Sequence, residues 1–198
     1  MRWTVIAGLR GHPWVVSTAL GWWLVAGLLW ARLPRPRRTA WSLLFWCALG
    51  LLAAVTLTPS LGGPPRGAVP GSCLPQWPRT GFGLWAPNPE RRWNVLLGVP
   101  LGLTGLVWPV RVWTATAATP ATRRPADGRR RGWSFAAPPI ALLTPAAVEF
   151  GQAKLPSLGR LCAVVDVVDN LSGVLVGFVL AAVGAAAHEL VRSRPRRA

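Results

Sequence analysis

Five long apolar segments, separated by shorter stretches rich in Arg, Pro and Gly, dominate this chain of 198 residues. Each segment is close to the roughly twenty residues that a helix needs to cross the hydrocarbon of a bilayer. Open sheets cannot satisfy their backbone in lipid, and no strand-like alternation competes with the helical interpretation. The sequence therefore predicts an all-α, polytopic membrane helical bundle of about five transmembrane helices, at residues 12–30, 41–58, 94–113, 133–152 and 162–187.

The charge composition agrees with a membrane protein. Charged residues make up 14% of the chain, whereas a soluble domain has roughly a quarter. The formal net charge of +16 would also suit nucleic-acid binding, but the Arg residues fall in short runs between the apolar segments and at the C-terminus. We therefore expect a single membrane domain over 1–198, with the lipid bilayer as its partner and no nucleic acid. Arg in place of nearly all Lys, with abundant Ala, Gly and Pro, indicates a GC-rich bacterial genome.

The distribution of Arg predicts the orientation of the bundle. Three Arg-dense segments, at 31–40, 114–132 and the tail at 188–198, fall on one side of five consecutive spans. The positive-inside rule makes that side cytoplasmic. The N-terminus is then outside, together with the connections at 59–93 and 153–161. The first segment is long, ends in Arg and lacks a small-residue cleavage site, so we expect a retained helix rather than a signal peptide.

A polar cluster interrupts the last two apolar segments, where three of the six acidic residues of the chain are found. A charge near hydrocarbon costs about 3 kcal/mol or more, so such residues usually face a bundle interior or a cavity. Asp166, Asp169 and Asn170 share one face of the fifth helix, at offsets of three and four. Glu149 and Gln152, three apart, likewise share a face of the fourth helix.

The connection between these helices is short and contains Arg160, so it brings the two polar faces together near the outer surface. We predict a polar cleft formed by Asn94, Glu149, Gln152, Arg160, Asp166, Asp169 and Asn170. Convergence of Glu149, Arg160 and Asp166 would neutralise the carboxylates. The alternative is that these groups pair only with each other and fix the packing of the helices.

Small residues continue the polar face of the fifth helix. Gly173 and Gly177 form a small-xxx-small pattern, which lets two helix backbones approach closely. In the third segment Asn94 is predicted at the helix end, capping free backbone N–H groups. Pro100 is expected to kink that helix and release a carbonyl, with Gly102 beside it. We therefore assign helix packing to Pro100, Gly102, Gly173 and Gly177.

An ordered set of these residues resembles the VanZ-like family of small bacterial membrane proteins over about 41–187. The set is Asn94, Pro100-Leu-Gly102, Glu149-x-x-Gln152, Arg160, Asp166, Asn170, Gly173 and Gly177. The family pattern has an Asp three residues after its Arg, where this chain has Ala163. That difference puts in doubt any mechanism that needs two family carboxylates, although Asp169, one turn after Asp166, is an extra acid.

The resemblance implies a cell-envelope protein associated with glycopeptide antibiotic resistance, and no defined reaction. We expect a non-catalytic binding or accessory protein that recognises a lipid-anchored amphiphile or a lipoglycopeptide at the outer leaflet. Lipid-linked cell-wall precursors are the other candidate ligands. Arg92 and Arg160 would hold the anionic headgroup. No cofactor is expected, and the oligomeric state is not specified.

Two other function classes stay open at this point. A membrane enzyme acting on a polyprenyl or lipid phosphate would use Glu149 and Asp166 as a general base or as ligands of a divalent metal. The sequence has no P-loop, H-E-x-x-H motif or Ser-His-Asp constellation, so it assigns no catalytic residue and disfavours this class. A proton-coupled transporter would use the same acids as a relay, but five helices without internal repeats make a poor carrier.

The three cysteines do not predict a metal site, because no two form a C-x-x-C pair and the chain has only two His residues. Cys73 and Cys162 both fall on the outer side of the predicted topology, and Cys47 lies within the second span. A disulfide between Cys73 and Cys162 would tie the long outer connection over the polar cleft. The alternative is that both thiols are free.

Overall fold

The computed structural model describes residues 14–32, 39–57, 73–74, 89–117, 135–155, 158 and 162–192. Within these ranges the chain forms five α-helices and two short strands. They are α1 (Trp14–Arg32), α2 (Ala40–Leu57), β1 (Cys73–Leu74), α3 (Pro89–Ala117), α4 (Ala137–Lys154), β2 (Cys162–Ala163) and α5 (Val164–Arg192). The predicted all-α helical bundle is confirmed.

Four of these helices are long and apolar enough to cross a membrane: α1, α2, the Arg91–Arg111 portion of α3, and α5. The chain is therefore a multi-pass membrane protein. Helix α4 forms where the fourth apolar segment predicts a helix, but it does not reach the apolar character of the other four. Its internal Pro145 and the polar residues near its C-terminal end account for the difference.

Helix α3 begins five residues before the predicted start at Asn94, because Pro89 is well suited to the first turn of a helix. Each of α3 and α5 has 29 residues. At 1.5 Å per residue they are about 43 Å long, which exceeds a hydrocarbon layer of roughly 30 Å. Both helices must therefore extend into the headgroup region.

Local sequence explains how α1 and α2 form an antiparallel pair. At the start of α2 the Thr39 hydroxyl accepts from the Ser42 backbone N–H at 3.1 Å, and the Thr39 N–H donates to the Ser42 hydroxyl at 3.2 Å. This reciprocal cap fixes the first turn of the helix. The indole N–H of Trp22 donates to the Trp46 carbonyl at 2.9 Å, and that of Trp23 to the Cys47 carbonyl at 3.1 Å.

Helices α2, α3, α4 and α5 enclose the core. Its buried residues include Phe45, Leu52, Leu101, Trp108, Ala137, Ala141 and Val174. Asn94 of α3 contacts Asp166 of α5, and Gly102 lies against Val174, so these two helices run parallel. The α4 helix runs in the opposite direction, since its C-terminal half meets the start of α5. The C-terminal ends of α3 and α5, which adjoin two of the Arg-dense segments of the sequence, consequently lie at the same end of the bundle.

A two-residue parallel ladder pairs Cys73–Leu74 with Cys162–Ala163. The Cys73–Cys162 disulfide is present and spans 89 positions of sequence. Together they hold part of the long 58–88 connection against the beginning of α5. Cys47 is a free thiol, in the second span as predicted.

Candidate functional site

A buried ion pair joins the first turn of α3 to α5. Arg91 Nε lies 2.7 Å from Asp169 Oδ2, and Arg91 Nη2 lies 3.0 Å from Asp169 Oδ1. The Asp169 side chain is wholly buried, whereas that of Arg91 is 13% exposed. Two parallel bonds from a planar guanidinium fix both distance and orientation, which suits Arg for a carboxylate away from water. Asp169 is thus neutralised by a residue that the sequence analysis did not select.

Asp166 lies one turn before this pair and is half-buried. Its Oδ1 accepts a hydrogen bond of 2.8 Å from the Asn94 amide. The Asn170 amide donates to the Asp166 backbone carbonyl at 3.0 Å. The expectation that Asn94 caps α3 is wrong, because the helix starts at Pro89 and Asn94 is already inside it. Its amide is therefore available for the carboxylate on the neighbouring helix.

Glu149 contacts the beginning of α5 from α4. Its Oε2 accepts a 3.1 Å hydrogen bond from the Ala163 backbone N–H, and the side chain is 3% exposed. Amides at a helix N-terminus have no partner within the helix and carry partial positive charge, so a carboxylate there is stabilising. An acid from α4 therefore stabilises the start of α5.

The other predicted site residues are not shown to join Glu149 and Asp166 in one cleft. Gln152, although one turn from Glu149, donates at 2.7 Å to the Thr56 carbonyl of α2 and is buried there. Arg92 is exposed in the first turns of α3, next to Arg91. Arg160 lies outside the described residues. The convergence of Glu149, Arg160 and Asp166 in one cleft therefore stays a prediction.

Below the polar cluster, four glycines form the contact between α3 and α5. A Cβ at Gly98 would overlap the Asn170 carbonyl oxygen, and one at Gly173 would overlap the Val95 carbonyl oxygen. Gly102 and Gly177 meet backbone atoms of the partner helix in the same way. Missing side chains allow this backbone approach. Pro100, which was assigned to the same packing, is exposed on the surface of α3.

The two helices carry the same spacing of polar and small residues. On α5 it is Asp166, Asp169, Gly173 and Gly177, and on α3 it is Arg91, Asn94, Gly98 and Gly102. Since the helices are parallel and their offsets are equal, each polar group faces the polar end of the other helix. This repetition is the sequence signal by which Arg91 could have been identified. The repeated spacing can be recognised in the sequence only when the start of α3 is placed before Asn94.

The depth of the cluster follows from the length of α3. Arg91 and Arg111 bound the candidate span and are twenty residues apart, which corresponds to about 30 Å of helix. That length matches the hydrocarbon thickness. The Arg91–Asp169 pair therefore lies at one end of the candidate span, and Arg111 at the other.

One polar atom of the cluster lacks a partner. The Oδ1 atom of Asn170 has no hydrogen bond within the described part of the chain, and the residue is 1% exposed. A buried acceptor left unpaired is destabilising by about 1–3 kcal/mol. Such an atom calls for a donor from water or from a ligand.

No group of three His, Cys, Asp or Glu residues is gathered closely enough to hold a metal ion in the parts of the chain that are described. Comparison with known proteins adds no further assignment: no family model, no curated protein and no solved structure matches the chain.

Proposed function

We propose that this chain is a VanZ-like membrane protein of the bacterial cell envelope that binds a lipid-anchored amphiphile at the end of the bundle that carries the polar cluster. The ligand is a lipid-linked cell-wall precursor or a lipoglycopeptide, and its headgroup combines an anionic group with hydroxyl or amide donors. The observation that carries the proposal is the unpartnered Asn170 Oδ1 beside the half-buried Asp166.

Acceptors in the cluster suit the donors of such a headgroup. Asp166 is only half-buried, so its carboxylate is accessible from the membrane boundary. The Asn170 oxygen lies one turn further along the same face and needs a donor. A hydroxyl or amide entering beside Asp166 would satisfy that oxygen and remove the free energy penalty of an unpaired acceptor.

A cation next to the cluster suits the anionic part of the headgroup. Arg91 is paired with Asp169, and the adjacent Arg92 is exposed in the same first turns of α3. Trp93 beside it is 39% exposed, as is usual for aromatic residues at the headgroup level. The acyl or polyprenyl tail would then lie along the exposed apolar surface of the bundle. Arg160, near the start of α5 in the sequence, is proposed as a second cation for the same group.

The contacts of the acids favour binding over turnover. Asp169 is held by Arg91 and Asp166 by Asn94, both from α3, and Glu149 is held by the Ala163 N–H of β2. Residues fixed in this way form a preorganised surface, which lowers the entropic cost of binding. Glycopeptide resistance by sequestering or shielding such a ligand is the proposed cellular role.

The direct test is a binding measurement on the purified protein in nanodiscs, with a lipid-linked precursor and with a lipoglycopeptide as separate ligands. We expect Arg92→Gln to weaken binding roughly tenfold, since a charge-assisted contact is lost. Arg32→Gln is the matched control, because Arg32 is also an exposed terminal Arg but lies on α1. Asp166→Asn should retain the contact with Asn94 and lose affinity for donor groups.

Cell assays complete the test. If neither ligand class binds, and Arg160→Ala leaves glycopeptide susceptibility unchanged in cells, the proposal is wrong. Equal losses in Arg92→Gln and Arg32→Gln would also contradict it, since they would indicate nonspecific attraction to the basic protein.

A further inference from the structure

A second feature lies at the opposite end of the bundle, where α3 and α5 separate. The groove between them has a volume of about 450 Å³. Its walls are apolar residues of both helices, closed on one side by Trp41 at the start of α2. The walls comprise Leu103, Leu106, Val107 and Val110 of α3, and Leu180, Ala181, Ala182, Gly184 and Ala185 of α5.

The groove exists because the glycine contact ends before the helices do. At Gly173 and Gly177 the backbones of α3 and α5 touch. Two turns further on, a Cβ at Gly184 would meet no atom within 4 Å. The small residues of this stretch therefore do not serve contact between the two helices. They leave room for an apolar chain of the width of a lipid tail.

Charged residues line the mouth of the groove. Arg111 closes the α3 side, and His188, Glu189 and Arg192 close the α5 side. Two guanidinium groups against one carboxylate give the mouth a net positive charge. Three more Arg follow Arg192 in the sequence. Arg111 bounds the candidate span, so this positive charge lies at the headgroup level of the membrane.

We propose that the groove is a binding site for an anionic membrane phospholipid, drawn from the leaflet on the Arg-dense side. One acyl chain lies between α3 and α5, and the phosphate is held by Arg111 and Arg192. An apolar trough that ends in two guanidinium groups matches the two parts of this ligand. The site is at the other end of the bundle from the polar cluster, so it stands independently of the function proposed above.

Charge favours an anionic lipid over a second copy of the chain as the occupant of the groove. A second copy would bring the same Arg-dense end into contact with the first, in a protein of net charge +16. Like charges in close contact are unfavourable. An anionic lipid instead neutralises the mouth while its tail covers the apolar walls.

Native mass spectrometry of the detergent-solubilised full chain tests the proposal, with phosphatidylglycerol or phosphatidylcholine added in equal amounts. We expect preferential retention of phosphatidylglycerol. Replacement of Arg111 and Arg192 by Gln should weaken its retention about fivefold for each charge removed. Arg32→Gln, an exposed Arg at the same end of the bundle, should leave retention unchanged. Glu189→Gln should strengthen it, because it neutralises the carboxylate that lines the mouth among the described residues.

A matched pair of variants tests the apolar part of the site. Gly184→Leu fills the groove and should abolish retention of phosphatidylglycerol. Gly27→Leu makes the same change on α1, where a Cβ also meets no atom within 4 Å, and should have no effect. Size-exclusion chromatography of each variant verifies that it remains folded. If Gly184→Leu does not fold, the Arg and Glu189 variants still decide the matter.

Two results would overturn the proposal. One is equal retention of the two lipids by the unmodified protein. The other is a dimer in the mass spectrum that Gly184→Leu converts to a monomer, since the groove would then be an interface between copies. Failure of the lipid-linked precursor to bind at the polar cluster would leave this test unaffected.

Discussion

At the scale of single residues, Asp169 and Arg91 show how a buried charge is held in this bundle. The carboxylate is wholly buried, whereas the guanidinium retains some exposure at the membrane boundary. The two partners are therefore not equivalent. Without its partner, Arg91 can extend toward the headgroups, as long basic side chains do. Asp169 has no such route, because its side chain is short and lies inside the helix contact.

The first prediction follows from this asymmetry. Arg91→Leu should lower the free energy of unfolding by about 3–5 kcal/mol, since it leaves an uncompensated buried charge. Asp169→Asn should have a smaller effect. The double replacement of Arg91 and Asp169 by Leu should recover most of the loss, because no unpaired charge remains.

Thermal unfolding in detergent, followed by the fraction that stays monodisperse, measures all three variants. Arg92→Leu is the matched control, because Arg92 is adjacent but exposed, and exposed substitutions usually change stability by only about 0.5 kcal/mol. A double variant no more stable than Arg91→Leu would contradict the account of Asp169.

At the scale of elements, the contact between α3 and α5 combines a polar end with two Gly-xxx-Gly patterns. Gly98 and Gly102 face Gly173 and Gly177, so each helix presents backbone where the other does. Apolar side chains gain little from leaving lipid for another helix, so association depends on close packing and polar contacts. The glycines supply the close packing, and the ion pair fixes the register.

The second prediction concerns this seam. Gly173→Val should destabilise the bundle by about 3 kcal/mol, because its Cβ overlaps the Val95 carbonyl and the two helices must move apart, which loses their close packing. Gly21→Val on α1 is the matched control, because a Cβ there meets no atom within 4 Å. Both variants would be compared by heating in detergent. Equal melting temperatures for the two would refute the assignment of Gly173 to close packing.

At the scale of the whole molecule, two independent features support the proposed orientation. In the sequence, Arg-dense segments adjoin the helix ends at the Arg111 end of the bundle, and the positive-inside rule predicts that this end is cytoplasmic. The Cys73–Cys162 disulfide lies at the opposite end. Disulfides persist in oxidising compartments, so its position is consistent with an outer side for the polar cluster. Neither argument depends on the other.

The third prediction tests that orientation with reporter fusions. A green fluorescent protein attached after Ala198 should fluoresce, and alkaline phosphatase at the same point should be inactive. Insertion of the phosphatase in the 59–72 region should give the reverse result, since that connection belongs to the outer end. Active phosphatase at the C-terminus would invert the proposed orientation, and with it the leaflet assigned to each site.

The sequence determined the all-α membrane architecture, because a run of apolar residues near twenty in length has few alternatives in a bilayer. It also determined the polar and small-residue face of α5, since equal offsets on one helix need no tertiary information. The pairing across helices was different. Arg91 and Asp169 form an ion pair although they are 78 positions apart in the sequence. Gln152 binds the Thr56 carbonyl of α2, and Asn94 binds Asp166 instead of capping α3.

Only the tertiary structure decided these contacts, because they depend on how the helices pack. Those of Arg91 and Asn94 require α3 to begin before Asn94 and to run parallel to α5. The same parallel contact holds the helices together at the glycines and lets them part at Gly184. That divergence opens the apolar groove between α3 and α5, which no local pattern in the sequence specifies. Hydrophobicity therefore determines which segments form helices, and the geometry of the contact between α3 and α5 determines which of their polar groups meet.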